Sequence, residues 1–143
     1  MAYCTKTDIE KMIPATDVTA LTDDEGTGAQ VAARVSEAIA QADSEIDGYC
    51  GVRYSVPFSP VPAVIKKFSV DIAVYNLYSR RQEEIPETRS ERYKNAIKFL
   101  EMLAKGTISL GIEPEPTATS NSYAETNKTT NDRIFTRDKL KGF

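Results

Sequence analysis

The side chains in this sequence that could bind a metal or move a proton are carboxylates, and they have no histidine to work with. Its 143 residues include no histidine at all. That removes the usual general base, the Ser-His and Cys-His nucleophile pairs and the commonest zinc ligand together. The run Asp23-Asp24-Glu25-Gly26-Thr27-Gly28 has the clustered oxygen atoms that hard cations prefer. With Asp23 placed first, however, Arg34 falls where a calcium loop needs its bidentate glutamate. We therefore expect a solvated acidic loop whose charge complements the start of the following helix. Gly26-Thr27-Gly28 is a single GxG, short of a Walker loop or a dinucleotide fingerprint, so no cofactor or metal is expected.

Three further carboxylates have the spacing or the surroundings to matter. Asp43 and Asp47 lie four apart on what reads as a helix and could share a proton or a metal. Glu45 between them and the repulsion of like charges favour a solvated face instead. Asp71 sits among Phe68, Val70, Ile72 and Ala73, and a buried carboxylate needs a partner. Arg53, Arg80 and Arg81 are the candidates. The expected structural ion pair is Arg53 with Asp71, pinning a connector to the core, against the alternative that Asp71 faces solvent at a helix edge. Cys4 and Cys50 form no CxxC motif and read as reduced, structural residues. No catalytic residue is assigned, and an enzyme is not expected.

The elements that must position these groups are helices. Thr7-Asp8-Ile9-Glu10 has the capping-box pattern, so a short helix should start there and end by Pro14. Leu21 and the small residues before it could add another turn ahead of the acidic loop. From residue 29 to about 49, Val31, Val35, Ala38, Ile39, Ala42, Ile46 and Tyr49 recur every three or four positions, the period of an amphipathic helix. Gly48, Gly51 and the prolines of VRYSVPFSPVP then break it into an extended connector. A second long helix opens near Pro62 and runs to about Arg81. It is apolar over most of its girth, which marks it as central. A third follows Pro86, with Thr88 and Glu91 as a second capping box, and stops at Gly106. The fold class is all-α: a small bundle of three long helices plus a short N-terminal helix and an extended polar C-terminal tail. Its divisions are residues 1–28, the core 29–106, and a flexible tail 107–143.

The tail is rich in Thr, Asn, Ser, Glu and Pro and lacks the apolar surface to order itself. It ends on Arg133-Ile134-Phe135-Thr136-Arg137 and Leu140 to Phe143, a docking peptide on a tether. Ile134, Phe135, Leu140 and Phe143 are its expected anchors and Arg133 and Arg137 its rim. The whole chain has 18 basic against 21 acidic residues, a net charge of −3, which argues against bulk attraction to nucleic acid. Basic residues gather in the last two helices while the first third is acidic, an arrangement suited to head-to-tail self-association or simply to solvated helix faces. No run approaches the roughly 18 apolar residues of a membrane span, nor does the start read as a signal peptide, so the chain should stay in the compartment where it is made.

Taken in order, Ala42-Asp43-Ser44-Glu45-Ile46-Asp47-Gly48-Tyr49, Arg53-Tyr54, the proline connector, Asp71-Ile72-Ala73, Tyr75, Leu77-Tyr78 and Arg80-Arg81 resemble a known pattern. So do Tyr3-Cys4-Thr5, Leu21-Thr22-Asp23, Arg92-Tyr93 and Arg133 to Arg137. The pattern is that of the Mu-type phage and prophage family of small virion proteins related to head-tail connector, or adaptor, proteins. The resemblance covers most of the chain, with Cys50 a departure that implies no thiol role. It implies a helical bundle without enzyme activity, placed at the virion head-tail junction after assembly in the bacterial host cytoplasm. The expected partners are further copies of the chain in a ring, for which a dodecamer is one closed form, and portal or tail-side phage proteins. DNA would meet it only by passage through the ring lumen, and no membrane contact is expected. The rival reading is a monomeric helical regulatory or protein-binding module of phage or prophage origin.

Overall fold

A computed structural model describes residues 2–81 and 84–113. These residues form five helices and no strand: α1 (Lys6–Glu10), α2 (Ala15–Thr22), α3 (Ala32–Cys50), α4 (Ala63–Ser79) and α5 (Glu87–Lys105). The all-α bundle expected from periodicity is what the chain adopts. The turn anticipated around Leu21 is a full helix, α2. The docking residues Arg133, Ile134, Phe135, Arg137, Leu140 and Phe143 lie outside the described residues.

Helix α4 sits at the centre because its sequence leaves it no polar side to offer water. Seven consecutive residues, Phe68 to Val74, are all buried, as is Leu77. An α-helix turns through a full circle in such a span, so every face of α4 needs cover. Helices α3 and α5 flank it and also touch each other, while α1 and α2 close its remaining side. The two flanking helices each bury one stripe: Val35, Ala38, Ile39, Ala42 and Ile46 on α3, and Ala96, Leu100 and Leu103 on α5. Phe68 and Phe99 meet across α4 and α5 with ring centroids 4.8 Å apart, and Tyr75 stacks on Tyr93 at 4.1 Å.

The helix boundaries correct the expected caps. The capping box uses Thr5 and Asp8, one turn-fraction earlier than Thr7 and Glu10: the Asp8 N–H donates to Thr5 Oγ1, and the Thr5 N–H to Asp8 Oδ2. Asp8 serves in place of glutamate because its carboxylate also receives Lys66 from α4 at 2.9 Å. Helices α4 and α5 begin straight after Pro62 and Pro86 with no side-chain cap, so Thr88 lies inside α5 and caps nothing. Gly106 ends α5 at φ +77°, a left-handed position that favours glycine, with the Thr107 N–H donating to the Met102 carbonyl at 3.0 Å.

The connector between α3 and α4 is part of the core, which its composition had concealed. Tyr54 and Phe58 are buried, and the Phe58 ring lies against Tyr3 as well as Tyr54. Tyr54 Oη also accepts from the Leu110 N–H at 3.2 Å, fastening the segment after α5 to the connector. Ile108 and Leu110 pack on the same core.

Candidate functional site

The polar groups worth examining divide into three clusters, each joining elements distant in sequence. In the first, the N-terminal residues lie along α3. The Tyr3 N–H donates to Asp43 Oδ2 at 3.1 Å, and Ser69 Oγ on α4 donates to Asp43 Oδ1 at 2.8 Å. Tyr3 Oη donates to Asp47 and accepts from the Phe58 N–H. Asp43 is buried, so the expectation that Asp43 and Asp47 form a solvated face is corrected. The two carboxylates do not share a proton; each takes donors from the N-terminal segment. Burial pushes the Asp43 carboxyl above its usual range, and the Ser69 and Tyr3 hydrogen bonds oppose that rise. Burial, together with the bond to Asp47, also raises the Tyr3 phenol.

The second cluster is the acidic loop. Asp23 accepts from the Thr27 N–H at 2.9 Å and from the Gly28 N–H, folding the loop onto itself and lowering its own carboxyl. Asp24 receives Arg80 at 2.8 Å, Arg34 at 3.2 Å and Arg81 at 3.6 Å. Desolvation raises the Asp24 carboxyl, but the Arg80 hydrogen bond and the three guanidinium charges outweigh it and leave it lowered. The same arginines cap α2: Arg80 donates to the Leu21 carbonyl, Arg34 to that of Thr22 and Arg81 to that of Asp23. Cations at a helix C-terminus satisfy its orphan carbonyls and complement its dipole. Among the described residues no group of His, Cys, Asp or Glu is placed to hold a metal ion.

The third cluster corrects the expected ion pair. Asp71 is buried and pairs with Arg92 of α5 at 3.3 Å, while Arg53 lies elsewhere. The Arg53 guanidinium occupies the space where a Cβ on Gly106 would stand. Arg53 therefore braces the connector against the end of α5. The reason is rotational: Asp71 points toward the α4–α5 seam, where Arg92 also reaches the Met12 sulfur and Arg89 donates to the Met12 carbonyl at 3.1 Å. Because Arg92 is 48% exposed, its attraction is screened by solvent. Replacing Arg92 with alanine is expected to cost about 1 kcal/mol, seen as a small drop in urea midpoint. The loss should largely vanish in an Asp71→Asn background, where no buried charge is left unpaired.

Cys4 and Cys50 are both free and buried. Burial raises both thiols, Cys50 to about 11, so they are protonated at neutral pH and poor nucleophiles. The Tyr93 phenol is raised to about 12 by burial and by its hydrogen bond to Glu45 of α3 at 2.9 Å. Sequence reasoning missed Tyr3, Ser69 and Tyr93 as tethers. Only the Tyr3-Cys4-Thr5 similarity drew any attention to the first, since a tyrosine hydroxyl has no pattern that announces its partner.

These clusters act as braces, and the family comparison accords with a structural role. A family model described as bacteriophage Mu, Gp36 matches residues 3–128. The chain belongs to this family. The Mu-like prophage FluMu protein gp36 of Haemophilus influenzae is 40% identical over 83 residues, covering 58% of this chain and 57% of that protein. The chain thus matches a little over half the length of that relative. Gene product J of Escherichia phage Mu is 29% identical over 108 residues, 75% of this chain and 73% of that one. The Mu-like phage resemblance read from the motifs is therefore correct at the level of family. No helix among the described residues is long and apolar enough to cross a membrane.

Proposed function

We propose that this Mu Gp36-family chain is a non-enzymatic structural protein of the phage particle, a head-tail connector or adaptor that assembles into a ring with copies of itself. The observation that carries the reading is how the polar groups of the interior are used. Asp8, Asp24, Asp43 and Asp71 each tie together elements far apart in sequence, so the helices form one braced unit. Among the described residues, Gln30 Nε2 is the only buried side-chain nitrogen or oxygen without a partner. Such a unit transmits force and position, while its exposed helix faces and the segment beyond residue 113 are available for contacts.

In this reading the terminal residues Ile134, Phe135, Leu140 and Phe143 seat in pockets of a neighbouring ring, with Arg133 and Arg137 at the rim. Segments that order on binding can wrap a large surface, which suits stepwise assembly. Portal-side or tail-side proteins are the partners, and DNA passes through the lumen without a binding site of its own. Removing residues 114–143 keeps Ile108 and Leu110 on the core and should leave a folded bundle with an unchanged melting temperature that no longer joins heads to tails. Complementation of a phage lacking the protein reads this out. Normal particle joining by the truncated chain would overturn the docking role.

A further inference from the structure

Helices α3 and α5 both have 19 residues, about 28 Å at the usual rise, and both turn one face away from the bundle. The outward face of α3 has low relief because its exposed residues include Ala33, Ser36, Ala40, Ser44 and Gly48. A groove of about 360 Å³ opens along it, with Ile39, Ala40 and Ser44 beside Asp43 and Asp47. Glu37, also exposed, adds a third carboxylate to this side of the helix. Arg34, the basic residue of α3, is held by Asp24 and the Thr22 carbonyl.

The outward face of α5 has the opposite character. Lys94, Lys98 and Lys105 are exposed along it, and Met102 among them is 38% exposed, one of few large apolar side chains left to water. Lys105 has Glu101 at 3.8 Å, but Lys94 and Lys98 have no ion-pair or hydrogen-bond partner among the described residues. The two faces cannot meet within one chain. Each helix turns its other side to α4, and α3 and α5 touch through Tyr93 and Glu45 instead.

We propose that the α3 groove receives the lysine and methionine stripe of α5 from a second copy of this chain. The occupant follows from charge and shape together: three carboxylates on a shallow helix face meet three lysines and a flexible apolar side chain on a helix of equal length. Short side chains on α3 let the second helix approach closely, and Met102 is adaptable enough to fill an irregular groove. Because the contact joins two different surfaces, each copy keeps a free donor face and a free acceptor face. Such heterologous contacts propagate head to tail and close when the rotation permits. This proposal rests on the ring reading and specifies the surface through which it forms.

The test mixes two single variants of the full chain, Ser44→Cys and Met102→Cys, under mild oxidation. Cys4 and Cys50 are each about 1% exposed and should not react. A disulfide-linked dimer is expected in the mixture and not in either variant alone. Charge reversal at Lys98→Glu should weaken self-association roughly tenfold, and Glu37→Lys in the same or the neighbouring copy should restore it. Equal cross-linking by Ser44→Cys alone would overturn the proposal in favour of a twofold contact. Oligomers of wild type without any cross-link in the mixture would overturn this surface and leave the ring standing. Wild type that stays a single chain, alone and with head-side and tail-side proteins, would overturn both.

Discussion

Asp43→Ala is expected to destabilise the fold by about 2–4 kcal/mol, a fall of about 10 °C or more in melting temperature for a domain of this size. The carboxylate is buried and accepts from the Tyr3 N–H and the Ser69 hydroxyl. Alanine leaves two donors without an acceptor in a place water cannot easily reach. It also loosens the N-terminal segment that holds Phe58 through Tyr3 Oη, so the connector should gain amide exchange together with residues 2–5. Asparagine at this position keeps one acceptor and should cost less. The pH dependence supplies a second reading. A carboxyl whose pKa in the fold lies above its unfolded value weakens the fold when ionised, and that penalty is relieved as the pH falls through the raised value. Asp8, held below its usual range first by its Thr5 hydrogen bond and then by Lys66, acts the other way, and its contribution is lost on acidification. Asp43→Asn should therefore show a steeper loss of stability toward low pH than wild type. A midpoint difference that does not change with pH would contradict the assignment.

Leu77→Ala should cost about 3 kcal/mol by urea denaturation, near the middle of the range for a buried leucine. Leu77 is completely buried on the one helix that all the others pack against. Rigid neighbours on every side collapse poorly into the space vacated, so transfer and cavity terms add. By contrast, Val52 is 68% exposed, and Val52→Ala should change stability by less than about 0.5 kcal/mol. Comparable losses at the two positions would mean that α4 is not the centre of the core.

The long helices were legible because their sequence periods are local. Val35, Ala38, Ile39, Ala42 and Ile46 announce α3 without reference to anything else in the chain, and the girdle of apolar residues around α4 announced its central place. The connector was not legible. Its prolines suggested an exposed strap, but Tyr54 and Phe58 are core residues whose cover comes from Tyr3, more than fifty positions away. The ion pairs failed for a related reason. Asp71 was recognised as needing a partner, yet which of several arginines reaches it depends on how α4 and α5 are rotated, and that is fixed by packing. Arg53 was displaced from the pair by geometry at Gly106, where only a glycine leaves room for the guanidinium. Asp43 looked like one of several solvated acids because nothing in α3 itself shows that the N-terminal residues return to lie on it. The capping box slipped from Thr7–Glu10 to Thr5–Asp8 because both Thr-x-x-acid patterns occur within six residues, and Lys66 on α4 favours the carboxylate at position 8.

The central claim is that this braced helical unit exists to assemble. Light scattering of the full-length chain, alone and with head-side and tail-side proteins of its phage, with negative-stain images of the same samples, tests it most directly. The account predicts closed rings with a central opening, formed by the chain itself or on a partner ring. A mass of one chain in every mixture, with no ring in any image, would contradict it.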